Sequence, residues 1–341
     1  MNSNTQTSDI RLLKLQEWLD ELYSTKYALS IASADASFRR YFRLRINHQS
    51  FIIMDAPPEH ESLSPFKEIA QAWKNKGINV PVIYAVNEED GFMQIEDFGN
   101  KTLLEYIQGL NNEALIEVYK IAVDQLIELQ KRTQDQAAND NFNLPVYTHQ
   151  RLNDECELFR EWYLGVHCQY SLDGHENKQL DQLFEFLIAQ SEETRKVTVH
   201  RDYHSRNLMV NRHCELGIID FQDAMQGSIY YDVASLLKDC YYKFNDKQRQ
   251  SLFEYFYRQA AEQNLLTDNF EAAQRYFDWV GIQRHLKAIG IFSRLSHRDN
   301  KHHYLEDIPR TASYILDLES RYPVLEYICK LLKQTLNIST D

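Results

Sequence analysis

The stretch VTVHRDYHSRNLMV, Val197 to Val210, sets two histidines, an aspartate, two arginines and an asparagine between two short runs of β-forming residues. Polar side chains at that density are tolerated between buried strands only if they partner one another or a ligand. The loop reads H-x-D-x-x-x-x-N from His200 to Asn207. Eighteen residues beyond Asp202 comes Asp220, which closes the strand-like run LGIID and precedes Phe221, and Asp232 then opens the helical run YYDVASLL.

These residue types answer one chemical need. Transfer of a phosphoryl group requires a carboxylate that orients the attacking hydroxyl, and hard oxygen ligands that fix Mg²⁺ on nucleotide phosphates. Asp202 suits the first role, Asn207 and Asp220 the second. A rigid hairpin between VTV and NLMV would aim Asp202 at the acceptor while Asn207 turns back to the metal. His200 and His204 also have HxxxH spacing, but zinc sites of that kind place both histidines on one helical face with a glutamate between them. Here the flanks are strand-like and the intervening residues are Arg-Asp-Tyr, so His200 is expected to brace the loop.

A chain of 341 residues exceeds what one core usually supports, which predicts two lobes. After a first helix over 10–24, strand-like runs cover 28–32, 41–46, 50–54, 80–87 and 91–97, with a helix over 65–76 and a tight turn at Asn47 and His48. From Leu103 onward the periodicity is helical. The fold class is therefore α+β: an antiparallel-sheet lobe over 1–98 and a mainly helical lobe over 99–341 that carries the polar loop.

No GxxxxGK[ST] and no GxGxxG occurs among only 10 glycines. Phosphates would have to be covered by SADASFRRYFRL, a small-residue turn at Ser37 followed by Arg39, Arg40 and Arg43, whose backbone N–H groups and guanidinium forks suit phosphate oxygens. The net charge of −13 disfavours nucleic acid and anionic membrane as partners. Five scattered cysteines without a CxxC pair and the lack of any membrane-length apolar run lead us to expect a cytoplasmic protein.

With these elements in this order, the chain resembles the kinase-like phosphotransferases typified by aminoglycoside phosphotransferases and choline kinases. The segments DASFRRYFRL, MDAPPE, EDFG, ELFREWYL, HRDYHSRNLM and GIIDFQDA resemble the cell-wall amino sugar kinases, which phosphorylate N-acetylmuramate and N-acetylglucosamine at the anomeric hydroxyl. The resemblance implies a protein-kinase-like two-lobed fold, ATP and Mg²⁺ as cofactors and a small sugar as acceptor. It makes Asp202 the catalytic base, Asn207 and Asp220 the metal ligands, and Asp232 a brace for the catalytic loop. Adenine would be gripped at Gln94 to Asp97, with hydrogen bonds from the backbone around Ile95 and Glu96, while Phe98 and Leu103 pack nearby. Glu157, Arg160 and Arg206 fall where such families recognise substrate.

Two departures matter. Met54 stands in FIIMDAPPE where kinases carry a phosphate-binding lysine, and a thioether cannot hold phosphate charge. One of Arg39, Arg40 and Arg43 is expected to substitute, with Glu68 as its partner; otherwise the chain is a nucleotide-binding pseudokinase. Only FQDAMQGSIYY separates Asp220 from Asp232, too short for a phospho-regulated segment, which favours a small acceptor. Other alcohols or amines, aminoglycoside-like or choline-like, stay open as acceptors, as does the oligomeric state.

Overall fold

A computed structural model describes residues 9–34, 39–134, 143–211 and 213–338. The chain divides into two compact units, 1–99 and 100–341.

The first unit opens with helix α1 (Ile10–Leu22), whose N-cap Asp9 accepts from the Leu12 N–H. Strands β1 (Ala28–Ala34), β2 (Arg40–Ile46) and β3 (Gln49–Asp55) follow, then α2 (Ser64–Asn75), β4 (Ile83–Asn87) and β5 (Phe92–Glu96). The sheet is antiparallel throughout, in the order β1-β2-β3-β5-β4. Asn47 and His48 join β2 to β3 with φ of 48° and 65°, the left-handed pair that a two-residue hairpin turn requires. Alternate residues of β2 and β3, Phe42, Leu44 and Ile53, pack with Leu15, Trp18 and Leu19 of α1. Burial of that apolar face holds helix and sheet together.

The second unit begins with a two-residue strand, β6 (Lys101–Thr102), and α3 (Leu103–Ile107), started by a Thr102/Glu105 capping box. It continues through α4 (Asn112–Arg132), α5 (His149–Leu158), α6 (Gly174–Glu193), β7 (Lys196–Val199), β8 (Leu208–Val210), β9 (Leu216–Ile218) and β10 (Met225–Ser228). Helices α7 (Tyr230–Leu237), α8 (Asp246–Glu262), α9 (Phe270–Asp299), α10 (Ile308–Leu316) and α11 (Glu326–Thr335) complete it. The backbone of α5 runs on into a π-helical stretch, Phe159–His167.

Helix α9 is the spine of this unit, 30 residues long with Ile282, Leu286 and Ile289 in the core. At Gly290 it touches the start of the π stretch backbone to backbone: an added Cβ would lie 2.3 Å from the Leu158 carbonyl carbon and 2.6 Å from the Phe159 nitrogen. Only glycine permits so close an approach.

The expected hairpin at 197–210 is corrected. Strand β7 pairs with β10, Met225 opposite Val199, whereas β8 pairs with β6 and β9. The polar loop therefore bridges two small sheets. Its rigidity must come from side-chain bracing instead of a hairpin ladder.

Candidate active site

The bracing comes from α7 and the residues just after it. Asp232, fully buried, accepts the backbone N–H of His200 at 2.6 Å and of Arg201 at 3.0 Å. Asp239, also fully buried, accepts the backbone N–H of Ser205 at 3.0 Å and its hydroxyl at 2.5 Å. His200 adds a third tie. Its Nε2–H donates to the Ile219 carbonyl at 2.8 Å and its Nδ1 accepts the Asp202 N–H at 3.2 Å, which specifies the Nε2–H tautomer.

Two bonds from one amide join the three expected oxygen-bearing residues. Asn207 Nδ2 donates to the Asp202 carbonyl at 3.0 Å and to Asp220 Oδ2 at 3.3 Å. Asp220 sits at φ 64° two residues beyond β9, and Arg201 at φ 78° just ahead of Asp202. Non-glycine residues in this region carry strain that the surroundings must compensate, a pattern found at functional sites. Arg201 is compensated by Asp232 on its N–H and by a 2.5 Å ion pair with Glu155 of α5.

Buried cations surround Asp202. Lys287 of α9 lies 3.3 Å from Glu155 and 3.2 Å from the Tyr231 hydroxyl, and Arg284, one turn earlier, is almost wholly buried. Burial opposes ionisation of Asp202, but Lys287, Arg284 and Arg201 outweigh it and hold the carboxyl well below the usual carboxylate range. Glu155 is lowered too, burial again being outweighed by Lys287 and Arg201. A carboxylate that ionised is a weak base and a strong acceptor, fitted to orient a hydroxyl and take its proton late.

The donor set suits a hard cation. Asn207 uses only Nδ2 in the bonds above, which leaves Oδ1 as an oxygen ligand beside the Asp220 carboxylate, whose Oδ1 is steadied by Gln222 Nε2 at 2.8 Å. Mg²⁺ is typically held by one or two protein oxygens plus phosphates. No cluster of three His, Cys, Asp or Glu metal ligands occurs among the described residues, and His200 is spent on backbone bonds, so zinc finds no site at HxxxH.

The remaining expected residues are placed less uniformly. Arg206 lies over Tyr241, 3.6 Å from the ring centroid. Glu157 and Arg160 pair with each other at 3.3 Å, and Arg160 reaches Asp181 of α6 and stacks over Phe184. They knit α5 to α6; the residue of α5 that reaches Arg201 is Glu155, two positions before Glu157 and so on another face of the helix.

In the first unit, Ser37 lies outside the described residues. Arg40 points to the α1 face, donating to the buried Asp55 at 2.8 Å beside Arg11. Tyr41 is the register partner of Met54, so Tyr41 and Arg43 share the opposite face with it. Arg43 pairs with Asp97 at 2.7 Å and donates to the Gly99 carbonyl at 2.8 Å. Arg39 is buried and pairs with Glu61, not with the expected Glu68. The Glu96 N–H is spent on the Val82 carbonyl at 2.8 Å, so it is not available to adenine as expected, and any donor must come from a later residue. Ile95 lies within β5, paired on both sides, and Phe98 and Leu103 are buried as expected.

A loop carboxylate beside an Asn–Asp pair whose oxygens suit a hard cation, on an α+β fold with this order of elements, is the arrangement of a protein-kinase-like phosphotransferase. A family model described as phosphotransferase enzyme family, APH, matches residues 28–268, and the chain belongs to that family. A protein from Pseudomonas putida named N-acetylmuramate/N-acetylglucosamine kinase is 36% identical over 338 residues, covering 96% of this chain and 97% of its own. A protein of the same name from Neisseria meningitidis is 33% identical over 326 residues, covering 94% and 95%. The crystal structure of choline kinase LicA from Streptococcus pneumoniae superposes with a TM-score of 0.61 over 90% of this chain and 99% of its own, at 11% identity, a likeness of fold alone. No helix among the described residues is long and apolar enough to cross a membrane.

Proposed function

We propose that this phosphotransferase is an ATP- and Mg²⁺-dependent kinase that phosphorylates the anomeric hydroxyl of N-acetylmuramate and N-acetylglucosamine, a step in recycling cell-wall sugars. The observation that carries the reading is the Asn207 amide tied at once to Asp202 and Asp220, in a chain 36% identical along nearly its whole length to a kinase of that name.

In this reading Asp202 accepts a hydrogen bond from the acceptor hydroxyl and aims its oxygen at the γ-phosphorus. The bond from phosphorus to the β-phosphate oxygen breaks as the bond to the sugar oxygen forms, and the hydroxyl proton passes to Asp202 late in the step. Asn207 Oδ1 and the Asp220 carboxylate would hold Mg²⁺, which supplies charge neutralisation on the phosphates. Arg39, held by Glu61, is assigned to the phosphates in place of the lysine absent at Met54.

The buried cations Lys287, Arg284 and Arg201 around Asp202 disfavour a choline-like or aminoglycoside-like acceptor, because a cation brought there would meet like charge. The pseudokinase reading is disfavoured by the braced loop and the ionised Asp202.

The test is ADP release with N-acetylmuramate and N-acetylglucosamine, with ³¹P spectroscopy of the product. The methyl glycoside of N-acetylglucosamine, whose anomeric oxygen is blocked, should be inert. Phosphorylation of that glycoside, or silence with both free sugars, would overturn the assignment.

A further inference from the structure

Three side chains converge on the Cys240–Tyr241 segment that follows α7. Arg206 lies flat on Tyr241 at 3.6 Å, and His204 meets the same ring edge-on at 5.1 Å between centroids. Arg284 Nη1 contacts Cys240 Sγ at 3.6 Å. Asp239, next in the chain, holds Ser205. This segment thus lies against the loop that carries Asp202.

Arg284 is anomalous among the cations there. It is only 4% exposed. Arg201 and Lys287 share the Glu155 carboxylate, whereas no carboxylate lies within 4.0 Å of Arg284 among the described residues. Its one side-chain acceptor is a thiol sulfur, a weak acceptor, set against five N–H groups in a planar fork. His204 is similar: 8% exposed, with Nδ1 buried and without a hydrogen-bond partner among the described residues. A buried guanidinium with no carboxylate and an unpartnered imidazole nitrogen, two residues from Asp202, form the arrangement expected where a polar, acidic ligand completes the bonding.

We propose that Arg284 receives the acidic group of the acceptor, the lactyl carboxylate of N-acetylmuramate, and thereby sets the preference for an acidic over a neutral amino sugar. The inference rests on the kinase reading above. A guanidinium fork matches a carboxylate with two parallel hydrogen bonds, and in a water-poor site such pairs are stronger than neutral ones. N-acetylglucosamine lacks the carboxylate and gains nothing from Arg284. Arg284 also contributes to the field that keeps Asp202 ionised, so its loss has two separable effects. A weaker field lowers kcat for every acceptor; loss of the fork raises KM for the acid alone.

The experiment compares wild type, Arg284→Gln and Arg284→Lys with N-acetylmuramate, its methyl ester and N-acetylglucosamine. In the wild type, the ester should behave like N-acetylglucosamine, with KM about tenfold or more above that of the free acid. In Arg284→Gln the KM advantage of the acid should vanish while KM for the neutral sugars stays within about threefold, and Arg284→Lys should restore part of it. Equal losses for acid and neutral acceptors in Arg284→Gln would overturn the proposal. So would a wild-type enzyme that treats acid and ester alike, a comparison that decides the matter even if the variants fail to fold. A wild type active on neutral sugars but not on the acid would overturn it while sparing the kinase reading; inactivity on all three would remove both.

Discussion

Asp232 and Asp239, seven residues apart, grip the loop on either side of Asp202, the first through His200 and Arg201 and the second through Ser205. The loop has no ladder partner of its own along this length, so the two carboxylates replace one. Asp239→Ala would leave a buried N–H and a buried hydroxyl without partners, about 1–3 kcal/mol for each. Urea unfolding should show a loss of about 2–5 kcal/mol, kcat should fall as Asp202 loses its fixed position, and KM for ATP should move less. A stable variant with normal kcat would contradict the bracing role.

Removal of the carboxylate proposed to face the acceptor has a different signature. Asp202→Ala should keep nucleotide binding and reduce kcat on the order of 10³-fold. Asp220→Ala should also raise the Mg²⁺ concentration needed for half-maximal activity. Calorimetric titration of nucleotide with and without Mg²⁺ separates the two.

The pH dependence of stability should carry a mark of His204. Burial pushes this imidazole from its ordinary 6.5 down to about 4, against the pull of Asp239 and Asp202. A folded-state value below the unfolded one means that the stabilising contribution is complete above about 6.5 and is lost as pH falls from there towards 4. Between pH 7 and pH 5 the loss should be about 2 kcal/mol. His204→Gln should flatten that part of the profile in denaturant titrations at the two pH values, and an unchanged slope would refute the assignment.

Gly290 predicts a packing failure far from any charge. A Cβ there would intrude into the backbone of Leu158 and Phe159, and backbone cannot rotate aside as a side chain can. Gly290→Ala should cost about 3 kcal/mol or more. Thermal unfolding measures it; a Tm within a degree or two of wild type would show that α9 and the π stretch slide apart cheaply.

Arg39, just ahead of β2, and Arg40, its first residue, look alike in sequence but pair differently, with Glu61 and with Asp55. Arg39→Met should raise KM for ATP about tenfold, the effect of one charged phosphate contact. Arg40→Met should leave KM nearly unchanged and lower stability, since Asp55 keeps only Arg11. The reverse result would move the phosphate role to Arg40.

Legibility in the sequence followed distance along the chain. That Asp202, Asn207, Asp220 and Asp232 stand together could be read from their order and spacing along some thirty residues, and the Asn47–His48 turn from its residue types. Asp239, Glu155, Arg284 and Lys287 could not, since they reach the loop only through the packing of α5, α9 and the segment after α7. The hairpin was misread for the same reason: strand runs announce themselves by alternation, but whether β7 pairs with β8 or β10 is settled by a partner 26 residues from Val199, at Met225. Glu61 displaced Glu68 because a residue ahead of α2, not one on it, meets Arg39.

The pairing of β10 with β7 fastens the chain after Asp220 to the strand that leads into the Asp202 loop. Five residues past Asp220, at Met225, that tether is already in register. Residues 221–224 alone lie between Asp220 and that tether, so a displacement of Asp220 is felt at once by the strand that carries the Asp202 loop.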